Sequence, residues 1–190
     1  MIAQIKRLAT VALLYSVSSL VSTHELEADL LTVVLRDANH VSLTFRVDEA
    51  GVMHRLLSPR SSDAEFLLPL SAMGDETFAI VVQNFRKRFE QEVQVRDEAQ
   101  RPILLTGWHW PDITETRQRF RQLAMQGLVG AASHEHLPPT VITVDAVSRT
   151  EISRVDLRLP GALEGLTVVH YRPLQQTWRS ATRSRLDLKF

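Results

Sequence analysis

Three histidines stand where they could hold a metal. If processing leaves His24 as the first residue, its α-amino group and imidazole form a two-nitrogen chelate. His134 and His136 flank Glu135 in Ser-His-Glu-His, just before Pro138-Pro139. On an extended segment, positions i and i+2 point to the same side, so these two imidazoles could share one ion. Nitrogen ligands in a tetragonal arrangement suit Cu(II), so copper is the metal expected if His24, His134 and His136 act together. The plainer expectation is a chain without cofactor, in which His24 only marks the processing point and 134–136 form a solvated loop.

The remaining histidines have structural explanations. His40 and His54 lie beside a hairpin, His109 lies between Trp108 and Trp110, and His170 sits in a strand between Val169 and Tyr171. In Trp108-His109-Trp110-Pro111 the two indoles fall on one side of an extended segment. Such flat faces can bind sugars, aromatic groups or a protein partner. Aromatic residues make up only 6% of the chain, however, so the core needs these rings and a plug between strand and helix is expected.

Familiar catalytic patterns are missing. Gly-x-Ser-x-Gly, His-Glu-x-x-His and Gly-x-x-x-x-Gly-Lys do not occur, and His134-Glu135-His136 is too tightly spaced for a helical zinc site. Arg86, Lys87 and Arg88, with Arg117, Arg119 and Arg121, could line a basic groove. They also fit the solvated faces of two amphipathic helices, with Glu90, Glu92, Asp112 and Glu115 close by to offset them. Equal numbers of basic and acidic residues, 22 of each, argue against nucleic acid as a partner.

Where these groups act depends on the first 23 residues. Lys6 and Arg7 precede an uncharged run from Leu8 to Thr23 that Thr10, Tyr15, Ser16, Ser18, Ser19 and Ser22 dilute. A positive end, a short apolar stretch and a small-residue exit are the layout of an export signal. The run is shorter than the roughly 20 apolar residues that a spanning helix needs. Residues 1–23 are therefore expected to be a signal peptide, with Val21 and Thr23 in the two peptidase pockets before His24. Only an uncleaved signal would tie the chain to a membrane. The remaining 167 residues, 24–190, suffice for one domain, and with 20 basic and 22 acidic side chains they carry a formal charge of −2. The chain contains no cysteine, so neither disulfides nor thiolate metal sites are available.

The elements that must position these groups follow from periodicity. Leu26 to Leu35, and Val41, Leu43, Phe45 and Val47, read as two strands joined at Asp37-Ala38-Asn39. Val52 to Leu57 suits a short helix or a continued strand, and Ser58 to Asp63 a loop. Asp75 is a candidate cap for a helix whose buried stripe is Phe78, Val81, Val82, Phe85 and Phe89. Short strands are expected at 92–95 and 103–108. A second helix starts at Pro111, with Ile113, Phe120, Leu123, Ala124 and Leu128 inward, and frays at Gly127 and Gly130. Beyond Thr140 the pattern is of strands: 141–147, 152–159, 166–171 and 186–190.

The expected class is α+β, with an N-terminal hairpin, two central helices and C-terminal antiparallel strands in a meander or sandwich-like sheet. The expected role is that of a periplasmic or secreted binding or accessory protein without chemistry of its own. Its partner in a bacterial envelope would be a protein, contacted by the β-rich half with Trp108 or Trp178 in reach. A copper-binding protein and an exported hydrolase are the alternatives.

Overall fold

A computed structural model describes residues 29–129 and 137–173. The expected signal, the strand at 186–190 and Trp178 lie outside the described residues. The hairpin forms as its alternation requires: strand β1 (Leu30–Asp37) pairs antiparallel with β2 (His40–Val47), Leu31 opposite Phe45 and Val33 opposite Leu43. Val41, Leu43, Phe45 and Val47 are buried, whereas Ser42, Thr44 and Arg46 point to the other face.

Among the described residues four α-helices follow the hairpin: α1 (Glu49–Leu57), α2 (Asp63–Ala72), α3 (Asp75–Glu92) and α4 (Ile113–Val129). Residues 52–57 are thus helical. Helix α2 was not foreseen, although Ser62 and Glu65 form a reciprocal capping box at its start. Gly74, not Asp75, occupies the cap position of α3, and Asp75 is its first helical residue. The stripe on α3 is as expected, with Phe78, Val82, Phe85 and Phe89 fully buried. On α4, Phe120 and Ala124 are buried, but Leu128 is exposed and Gly127 lies inside the helix.

The segment expected as one strand at 103–108 divides between two sheets. β4 (Pro102–Ile103) pairs with β3 (Gln94–Arg96), and β5 (Leu105–His109) joins the hairpin sheet. Leu104 stands at the handover and is solvent-exposed. A register shift between Thr106 and His109 accompanies a positive φ of 69° at Gly107, a backbone state that a side chain would strain.

The later strands are dispersed through the fold, so they form no meander of their own. β6 (Thr140–Val147) inserts between β5 and β2, giving the order β5-β6-β2-β1-β8. β8 (Thr167–Tyr171) lies at the far edge, parallel to β1, and stops before Pro173. Of the strand expected at 152–159, only β7 (Asp156–Arg158) forms, completing a three-stranded sheet β4-β3-β7. The class is α+β with mainly antiparallel pairing. One core joins the inward residues of the larger sheet to the helices: Phe45, Phe78, Phe85, Phe89 and Phe120 are all fully buried within it.

Candidate functional site

The proposed copper ligands His24, His134 and His136 all lie outside the described residues. Among the described residues no group of three or more His, Asp or Glu side chains is arranged to hold a metal ion. Three of the other histidines have local partners. His54 contacts the Ser61 carbonyl at 2.9 Å and Asp63 Oδ1 at 2.8 Å, and stacks on Phe66. His109 Nδ1 lies 2.7 Å from the Gly107 carbonyl, inside the strand irregularity. His40 contacts Asp145.

That last contact belongs to a Ser-His-Asp group that adjacent strands bring together. Ser42 on β2 pairs with Asp145 on β6, and His40 lies two residues away on the same face. His40 Nε2 is 3.0 Å from Asp145 Oδ1, and the Ser42 hydroxyl donates to the same oxygen at 2.6 Å. Arg36 Nε in turn donates to Ser42 Oγ at 3.2 Å. The order of the links decides the chemistry. A nucleophilic serine needs the imidazole as its proton acceptor, with the carboxylate behind the imidazole. Here the carboxylate sits in the middle and the serine proton points at it. The Ser42 hydrogen bond, with a smaller contribution from His40, holds the Asp145 carboxyl below its ordinary range, so it is a poor base at neutral pH. This group braces two strands.

A second polar group is buried. Glu49, the first residue of α1, is 1% exposed, with Arg86 of α3 at 3.5 Å from its Oε1. Thr116 of α4 and Thr140 of β6 place their hydroxyls 3.5 and 3.4 Å from Oε2, and Arg86 Nη2 also donates to Thr116 at 3.0 Å. Burial pushes the Glu49 carboxyl above its ordinary range, and Arg86 only partly opposes this. Four elements thus meet on one carboxylate. The expectation that Arg86 is solvated is corrected here: it is largely buried and lies over the Trp110 ring at 5.1 Å. Arg117 is likewise buried, reaching the Met73 carbonyl and Asp75 and lying over Phe78. Lys87, Arg88 and Arg121 are exposed.

The two tryptophans fall on one side, as their spacing requires. Their rings stack at 6.3 Å, against Phe45 and Phe89. Trp110 Nε1 donates to Glu90 Oε1 at 2.8 Å, and both rings are half-buried. They close the end of the core as a plug.

Two surfaces remain. The face of the larger sheet that carries Thr32, Ser42, Thr44, Thr143 and Asp145 lies opposite the main core; Val34 is its one buried apolar residue among those described, and no described helix packs on it. Val141, Val147, Val169 and Tyr171 are exposed on it among those hydroxyls, with Arg36 and Arg46 nearby. On the core side, at the edge where β1, β2 and β8 meet the chain leading into β7, lies a cleft of about 560 Å³. Val33, Leu35, Val41 and Val168 form one wall, and Ile152, Val155 and Leu157 the other. Comparison with protein-family models, curated proteins and solved structures gave no match for this chain.

Proposed function

We propose that this chain is an exported binding or accessory protein, without chemistry of its own, that engages a protein partner in a bacterial envelope. The observation that carries this reading is the face of the five-stranded sheet on which no described helix packs. Four exposed apolar side chains, Val141, Val147, Val169 and Tyr171, are interspersed there with serine and threonine hydroxyls and two arginines. A partly apolar surface with aromatic and arginine content is the composition that protein interfaces favour. The near-neutral charge and the export-like leader support the reading, as does the serine-to-carboxylate order of the Ser42–Asp145–His40 group.

A photoreactive residue at Thr143, on this face, tests the contact against one at Arg121, on the exposed side of α4. In intact cells Thr143 should give one discrete adduct and Arg121 none. Equal labelling from both positions, or none from either, would contradict the proposal. The copper alternative has its own test, because a chain beginning at His24 should lose Cu(II) affinity on His24→Ala; an unchanged affinity removes it.

A further inference from the structure

The cleft between β8 and the segment before β7 has chemistry that the protein-partner reading does not use. Its walls are apolar: Val41 and Ile152 are buried, Val33 is nearly so, and Val168 is half open to solvent. Alternation explains the walls. Val168 and His170 pair with Leu31 and Val33, so they face inward with them, and Val155 and Leu157 turn inward between the exposed Arg154, Asp156 and Arg158.

The rim has a different character. Arg154, Arg172 and His170 border the opening, and none of the three has a hydrogen-bond or ion-pair partner among the described residues. The one carboxylate on the rim, Asp156, accepts a hydrogen bond from Gln100 at 3.0 Å. An apolar trough of this size, bordered by two guanidinium groups and an imidazole against the single carboxylate of Asp156, is complementary to a molecule with an apolar chain and an anionic head.

We propose that this cleft binds a single-chain amphiphile with a carboxylate head, of the fatty-acid class. The alkyl chain lies between Val33, Val41 and Val168 on one side and Ile152 and Leu157 on the other. The carboxylate meets Arg154 and Arg172 at the mouth, with the His170 ring as a further donor. The face on which no described helix packs lies across the sheet from this cleft and shares only Tyr171 with its lining, so an amphiphile and a protein partner would meet largely different residues.

Calorimetric titration of the purified chain with laurate, below its micelle concentration, tests this. Binding should be one to one. Each methylene removed from water is worth about fourfold in affinity, so decanoate, two methylenes shorter, should bind roughly fifteenfold more weakly than laurate. Dodecyltrimethylammonium, with the same chain and the opposite charge, should bind at least tenfold more weakly. The Arg154→Glu/Arg172→Glu double variant alters exposed side chains, so its unfolding midpoint should stay unchanged while its laurate affinity falls at least tenfold. Val168→Trp, which fills the trough and leaves the rim intact, should abolish binding. Affinity that ignores chain length, equal binding of the cationic amphiphile, or an unaltered double variant would each overturn the proposal. So would ready disulfide formation between Val168→Cys and Leu188→Cys in the unliganded chain, which has no native cysteine. That result would identify the C-terminal segment as the occupant.

Discussion

Removing Arg86 should destabilise the protein in a way that pH can titrate away. At 3.5 Å and an effective dielectric constant near 20, the attraction between Arg86 and Glu49 is about 5 kcal/mol. Most of that offsets the cost of taking both charges out of water. In Arg86→Met the loss is limited by an escape route, because Glu49 can take up a proton. Holding that proton at pH 7, about 2.5 pH units above the ordinary carboxyl value of 4.5, costs about 3.4 kcal/mol. The sign follows from linkage. A carboxyl whose folded pKa is raised binds its proton more tightly when folded, so stability falls as pH rises above the unfolded value. Arg86→Met should therefore be destabilised by about 3 kcal/mol at pH 7, and the deficit should shrink by up to about 1.4 kcal/mol per pH unit on acidification until the raised Glu49 carboxyl of the parent also takes up its proton. What persists at low pH is the lost contact with Trp110 and Thr116. Glu49→Gln leaves a guanidinium that cannot shed its charge and removes the titrating carboxyl, so its own stability should lack the pH dependence that Glu49 contributes. Urea unfolding of both variants between pH 4.5 and 7.5 measures this. A pH-independent deficit in Arg86→Met, or one below about 0.5 kcal/mol, would refute the reasoning.

Three smaller effects follow from the same structure. Ser42→Ala should raise the titration of Asp145 toward the ordinary 3.8, because the lost hydroxyl is the main support of the ionised form; a carboxyl-carbon NMR titration reads it. In the parent protein the bracing by Asp145 holds above the ordinary carboxyl range and is lost as pH falls through the folded pKa. Ser62→Ala removes the capping box of α2 and should cost about 1 kcal/mol in urea unfolding. Phe89→Ala removes the ring that touches Phe45, Phe85, Trp108 and Trp110, and should cost about 3–5 kcal/mol while shifting tryptophan emission to the red.

Local pattern carried the hairpin, the α3 stripe and the pairing of Trp108 with Trp110, because each depends on residues a few positions apart. Helix α2 was legible in principle from Ser62-x-x-Glu65, but Pro69 inside it interrupts the helical pattern. Arg86 also carried a signal: it stands four residues after Val82, on the line of the buried stripe, so it could not be wholly solvated. Glu49 carried none. Its burial depends on Arg86, Thr116 and Thr140, which lie far away in the chain. The insertion of β6 beside β2 and the parallel docking of β8 on β1 are likewise choices of topology. Alternation within one strand does not encode which neighbour it takes. The cleft was invisible for the same reason, since its walls come from two sheets.

Everything proposed about partner and compartment rests on the leader being removed during export. Intact-mass analysis of the native protein, taken separately from envelope and cytosolic fractions, tests that most directly. The account predicts a chain in the envelope fraction that starts within a residue or two of His24. A full-length chain starting at Met1 and confined to the cytosol would contradict it.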